Sequence, residues 1–345
     1  MTREMAPRGV PTPAMADYYA RRAQGGVGLI ITEGISPAQE GSFGTSVPRL
    51  DSDEAIDGWS GVVAAVHAHE ARIFAQLWHV GAFTPSLIGM SDSMSDEQVR
   101  LSPSGLAAAD TPFGQAMTTA DAEQTIDRFV AAAISAQRSG FDGIELHGAH
   151  GYLLDQFFWP TTNIRRDRLG GSPSGRVQFA VDLVRRIKAA TASSFPVALR
   201  LSQWKQLDYH ARIADNAADL EAIVGPLADA GVDLFHLSTR RFWEAEFPGD
   251  PRNLAAWVKA LTGKPVITVG SVTLDVDFKA KGGKNFARPA LEHVRLLEAG
   301  IDKGWFDLVA IGRALIANPD WVRLVEAGRA DRLRPFDRHM LEQLV

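Results

Sequence analysis

Cysteine is absent from the 345 residues, so the chain can hold no disulfide, no thiolate metal site and no cysteine-ligated iron–sulfur cluster. That fits a reducing cytoplasm, where we expect the protein. Surplus positive charge is missing too: 36 Lys and Arg stand against 41 Asp and Glu, for a formal net charge of -5. With a pI near 6.0, the chain has no basic footprint for nucleic acid or an anionic membrane. Long apolar runs are lacking. Residues 27–31 are far too few to span a bilayer, and Met1 is followed by polar residues rather than by the apolar core of a signal peptide. No GxGxxG follows a strand-like run, and no P-loop, HExxH or EF-hand pattern occurs, which argues against a Rossmann, nucleotide-triphosphate or zincin reading. Internal repeats and low-complexity tails are also absent.

What remains is an ordinary globular composition, 46% hydrophobic and 22% charged, in which two periodicities alternate. Short runs rich in Val, Ile and Leu recur at 28–32, 73–77, 143–146, 197–201, 234–237, 266–269 and 308–311, and read as strands buried on both faces. Segments of helical spacing lie between them at 15–24, 122–139, 175–190, 220–231 and 289–300. Gly140, Gly231 and Gly300 stand where left-handed helix caps are wanted. Strict strand–helix alternation means parallel strands with crossover helices. The unbroken rhythm predicts one domain over residues 1–345, a TIM (β/α)8 barrel. Only seven strands are found where a closed barrel needs eight, so the missing first strand is expected to precede Met1, and an open seven-stranded sheet is the structural alternative. Insertions at about 81–113, 239–253 and 273–288 follow strands, where long loops commonly act as lids.

Chemistry concentrates in GIELHGAHGYLLDQ at 143–156. A strand ends at Ile144-Glu145-Leu146, and His147, His150 and Tyr152 follow, with Gly148 and Gly151 expected to turn the backbone between them. Two imidazoles and a phenol just past a strand end can grip a carbonyl and deliver a proton. Taken alone, the motif fits helix-capping histidines and a packing tyrosine equally well. Barrel enzymes place their working residues at the C-terminal strand ends. Those positions hold Thr32-Glu33-Gly34, Gln76-Leu77-Trp78, His147, Arg200, Ser238, Gly270-Ser271 and Gly312-Arg313, a set poor in metal ligands. Gly270 and Gly312 with Arg313, on the last two strands, suit a phosphate. Arg200 suits an electron-rich ring, with an internal salt bridge as the competing role. Lys188, Lys259 and Lys264 lie in helices or loops, against a lysine-dependent aldolase barrel.

In this order the motifs resemble the Old Yellow Enzyme family of flavin-dependent ene-reductases. They run from MTR at 1–3 through GLIITEG at 28–34, AQLWHVG at 75–81 and DGIELHGAHGYLLDQFF at 142–158. NIRRDRLGGSPSGR at 163–176, LRLS at 199–202, VGS at 269–271, IGRALIANPD at 311–320 and PFDR at 335–338 complete the set. The resemblance implies non-covalent FMN across the strand ends and NADPH or NADH as reductant. It implies that Thr2 lies near flavin N5 and O4, that Gly34 touches the ring, that Gln76 bonds the pyrimidine edge and that Arg200 lies near N1 and O2. Gly270, Ser271, Gly312 and Arg313 would hold the phosphate. Ser271 stands where many members have asparagine, and His150 where some do. His147 and His150 would bind the carbonyl of an α,β-unsaturated substrate, and Tyr152 would protonate its α-carbon. Trp78 would line the pocket, with Phe242 and Trp243 as weaker candidates. The expected partner is a small activated alkene, and monomer and homo-oligomer both stay open. An amine-demethylating relative and a damaged flavin-binding protein are the alternatives. The larger dienoyl-CoA reductase type, with its iron–sulfur cluster, is disfavoured by the absence of cysteine.

Overall fold

Seven of the apolar runs form one parallel sheet in a computed structural model, which describes residues 2–88, 100–276 and 286–344. The strands are β1 Leu29–Ile35, β2 Arg72–Leu77, β3 Gly143–His150, β4 Val197–Lys205, β5 Leu234–Ser238, β6 Val266–Val269 and β7 Leu308–Val309. Their spatial order is their chain order, as successive right-handed crossovers produce. The sheet is curled. Leu29 and Ile31 of β1 and Ala310 beyond β7 pack on one cluster with Phe74, Ala198, Leu234 and Ile267, so both edges wrap a shared interior. Among the described residues β1 and β7 do not pair with each other, and seven barrel strands are seen.

The helices lie outside the curl. They include α1 Pro13–Gln24, α2 Asp53–His67, α3 Thr119–Arg138, the short α4 Leu153–Phe158, and α5 Gln178–Ala190. After these come α6 Ala217–Ala230, α7 Leu254–Thr262, α8 Glu292–Asp302 and α9 Arg313–Ala317. Local chemistry sets several starts: Thr12, Ser52, Asn216 and Asn253 each accept a first-turn N–H, and Thr118 with Asp121 forms a reciprocal capping box. Phe129 and Ala133 of α3, Val184 and Ile187 of α5, and Leu220 and Leu227 of α6 are buried in the main core with Ile144, Leu146, Leu199 and Leu201 of the sheet. Each such Val, Leu, Ile or Phe side chain is worth about 1.5–3 kcal/mol for its burial.

Strand periodicity decides what faces inward. Ile144 and Leu146 point to the helices, so Glu145 and His147 point into the barrel. Leu199 and Leu201 likewise send Ala198 and Arg200 inward, and Phe235 and Leu237 send Leu234, His236 and Ser238 inward. The register stacks these residues in layers: Gln76 lies opposite Glu145, His147 opposite Arg200, and Arg200 opposite His236.

Two local expectations fail. Gly300 is inside α8 rather than capping it, because the helix runs on to Asp302 and the Phe306 ring occupies the space where a Cβ would be, 2.4 Å away. Gly148 lies within β3 and not in a turn. The left-handed positions are instead His150 (φ 67) and Gly151 (φ 85). Of the insertions, 239–253 and the described parts of 81–113 are largely irregular, with one short antiparallel pair (106–108 with 111–112) in the latter, while residues 89–99 and 277–285 lie outside the described residues.

Candidate functional site

Strand β3 runs on to His150, and the chain then turns over Gly151 and Tyr152 into α4. Two ties hold this turn. Asp155 Oδ2 accepts the Gly151 N–H at 2.7 Å, and the His150 carbonyl accepts the Gln206 N–H at 3.1 Å. The three rings consequently converge. His147 meets Tyr152 edge to face at 5.1 Å and His150 at 5.0 Å between centroids. Trp78 packs edge-on against Tyr152 at 5.0 Å and tilts over His147 at 6.3 Å; Phe43 backs Trp78, and Phe83 backs Tyr152.

Burial and the adjacent Arg200 cation hold both imidazoles neutral: His147 is pushed down to about 3, and His150 well below the usual range. Burial also raises the Tyr152 phenol above its ordinary value, with Gln206 and Arg200 pulling the other way. The trio is therefore two neutral imidazoles, each with one N–H and one acceptor nitrogen, and a protonated hydroxyl. His150 Nε2 lies 2.8 Å from Ser238 Oγ, which accepts a long 3.4 Å bond from Arg200 Nη2. Trp204 covers the outer face of His150 at 4.5 Å and donates to the Ser238 carbonyl.

Beneath this layer Glu145 Oε1 accepts from Gln76 Nε2 at 2.6 Å, and Oε2 from His236 Nδ1 at 2.7 Å. Burial alone would raise this carboxyl, but His236, Arg200 and Gln76 outweigh it and hold it at about 2. Arg200 Nε is buried without a protein partner. Gly34 lies opposite Gln76, and a Cβ there would meet the Trp78 ring at 2.4 Å, so glycine admits the indole. Trp78 is itself 2% exposed and packs against the His147 and Tyr152 rings. Thr2 is half-buried beside β1, because the Arg3 N–H donates to Glu33 Oε2 at 2.8 Å and Arg3 Nη2 bonds the carbonyls of Met340, Leu341 and Gln343.

The phosphate candidates lie across the mouth. β6 and β7 pair through Thr268 and Val309, which brings the chain at Gly270-Ser271 beside that at Gly312-Arg313. Gly270 (φ 157) passes 2.6 Å from the Thr239 carbonyl at its would-be Cβ, and Ser271 is left-handed (φ 47). Arg313 opens α9 and donates to the Val276 carbonyl at 2.9 Å. The weaker candidates Phe242 and Trp243 pack on His293 of α8, with Trp243 at 4.3 Å.

A profile of the NADH:flavin oxidoreductase / NADH oxidase family matches residues 1–332. The chain belongs to that family, the Old Yellow Enzymes. An NADH oxidase of Thermoanaerobacter brockii is 33% identical over 94% of this chain, which spans about half (47%) of that relative. The 12-oxophytodienoate reductase 7 of Oryza sativa subsp. japonica is 33% identical, covering 93% of this chain and 81% of its own. The solved Old Yellow Enzyme homologue of Zymomonas mobilis superposes with a TM-score of 0.78 at 26% identity, over 99% of this chain and 90% of that one. The fold is accordingly an α/β TIM barrel, and the family is one of FMN-dependent, NAD(P)H-using oxidoreductases. Among the described residues of this Old Yellow Enzyme no helix is long and apolar enough to cross a membrane.

One element of this site was missed in the sequence. Lys205 ends β4 with its side chain fully buried, donating to Asp155 Oδ1 at 2.6 Å and to the Ser202 carbonyl at 3.0 Å. A lysine therefore does stand at a strand end, though it is committed to an ion pair. Its signal was available in QWK directly after LRLS, had that strand been extended past Leu201.

Proposed function

We propose that the chain is an FMN-dependent ene-reductase that reduces the C=C bond of a small α,β-unsaturated carbonyl compound at the expense of NADPH or NADH. The observation that carries this is the convergence of His147, His150 and Tyr152, two neutral donors and one phenol about 5 Å apart, beside the Arg200 cation. The residues present fit FMN. The partnerless Arg200 Nε suits an electron-rich ring, the Gln76 amide suits a pyrimidine edge, and the backbone at Gly270, Ser271 and Gly312 with Arg313 suits a phosphate. Thr2 and Gly34 complete the ring-binding set. When bound, FMN supplies the hydride chemistry, accepting from the nicotinamide and donating to the alkene.

The chain's own residues do the rest. His147 and His150 donate hydrogen bonds to the substrate carbonyl and stabilise negative charge as it develops on that oxygen. Being neutral, they do so without titrating across the physiological range. Tyr152 gives its proton to the α-carbon. Its high pKa keeps the proton in place beforehand, and an enolate carbon is basic enough to take it. Trp78 holds Tyr152 and His147 in register from behind.

Purified protein should be yellow, and the colour should bleach on anaerobic addition of NADPH and return on addition of cyclohexenone. In the His147→Ala variant the long-wavelength charge-transfer band that phenols give with bound oxidised flavin should vanish. A colourless protein with no affinity for FMN would overturn the reading, and a full band in the variant would remove His147 from it.

A further inference from the structure

Beneath the rings, the fully buried carboxylate of Glu145 touches no open space, yet it is bonded on both oxygens by side chains from two other strands, Gln76 on β2 and His236 on β5. A carboxylate at this site is acceptor-only, so the Gln76 atom 2.6 Å away must be the amide nitrogen, and the reverse orientation would set two oxygens against each other without water to separate them. The Gln76 carbonyl oxygen is thereby directed away from Glu145. On the other side, His236 Nδ1 lies 2.7 Å from Glu145 Oε2, while its Nε2 is buried without a partner. That pattern fits a neutral imidazole protonated on Nδ1, bracing the carboxylate as a second donor.

The pyrimidine edge of a flavin presents an N–H between two carbonyls, and so discriminates between the two orientations of a facing amide. We propose that Glu145 is a positioning residue for flavin binding: it fixes the Gln76 amide with its oxygen forward, and His236 in turn fixes Glu145. This rests on the reading above in which Gln76 faces the flavin. Glu145 makes no contact with ring or substrate, and its whole effect passes through Gln76.

Flavin release from the holoprotein, followed as fluorescence recovery on dilution, tests this in a double-mutant cycle. Gln76→Ala should weaken FMN binding about tenfold, the effect of one lost hydrogen bond to a bound polar group. Glu145→Gln keeps the shape but lets the facing amide rotate, while Glu145→Asp keeps the buried charge but no longer reaches Gln76. Each should weaken FMN several-fold with Gln76 present, and neither should weaken it further in the Gln76→Ala background. If Glu145→Gln does not fold, Glu145→Asp carries the test by itself. Equal effects with and without Gln76, or wild-type affinity in Glu145→Asp, would overturn the positioning role. Unchanged affinity in Gln76→Ala would overturn the placement of the flavin over Gln76, and the positioning role with it.

Discussion

Replacing Lys205 by Met removes the cation of a fully buried ion pair and keeps most of its volume. In the wild type Nζ sits 2.6 Å from Asp155 Oδ1, and the other oxygen, Oδ2, takes the Gly151 N–H. After the substitution the carboxylate keeps one N–H donor and no counter-charge. Breaking such a pair from one side costs about 3–5 kcal/mol, because the remaining charge stays buried. The cost depends on pH. Burial already raises Asp155 to about 6 against the pull of Lys205, and without that lysine the carboxyl rises further. The unfolded carboxyl titrates near 3.9, as for any Asp, so the raised group's contribution is intact below about 3.9 and is lost as pH climbs through the folded value. The variant should therefore be nearer to wild type at pH 5 than at pH 8, and Asp155→Asn added to it should recover most of the loss. Urea unfolding followed by tryptophan fluorescence at both pH values measures this. A loss below about 1 kcal/mol at pH 8, or one that is equal at pH 5 and pH 8, would refute the reasoning.

Three further outcomes are expected. His147 is held at about 3, below the ordinary histidine value near 6.5, so its contribution to stability is present above 6.5 and is lost as pH falls toward 3. His150 acts in the same direction. Each should add a slope of about 1.4 kcal/mol per pH unit below 6.5, and His147→Gln should remove its own share in a pH series of urea midpoints. Phenol binding to the holoprotein should stay flat between pH 6 and 8, since neither imidazole titrates there; a step near 6.5 in a spectral titration would contradict this. Gly300→Ala should destabilise by about 1–3 kcal/mol although alanine is the better helix former, because its methyl would lie 2.4 Å from the Phe306 ring; a higher melting temperature would count against that packing.

The barrel and the position of the candidate site residues at its strand ends are legible in the sequence because strand ends announce themselves: an apolar run stops and chemistry-bearing residues follow. His147, Arg200 and Ser238 were placed in this way, and period-2 alternation turns all three inward. Pairings between strands were not legible. Glu145 and His236 are 91 residues apart, and only the β3–β4–β5 register brings them together. Inward polar residues interrupt the apolar pattern and make a strand look shorter than it is: the apolar run of β4 stops at Leu201, while the strand continues to Lys205. Gly300 follows a helical run as a cap would, but its reason is the Phe306 ring, a tertiary contact that no local signal carries. Gly34 similarly stands against Trp78, so its smallness has a cause inside the protein as well as any toward a ring.

The most direct test follows both halves of the reaction in Tyr152→Phe by anaerobic stopped-flow. Bleaching of the bound flavin by NADPH should match wild type, while its return on mixing with cyclohexenone should slow by about 100-fold or more, the usual contribution of a placed proton donor. Recovery of the colour at the wild-type rate would show that the phenol beside His147 does not deliver the proton.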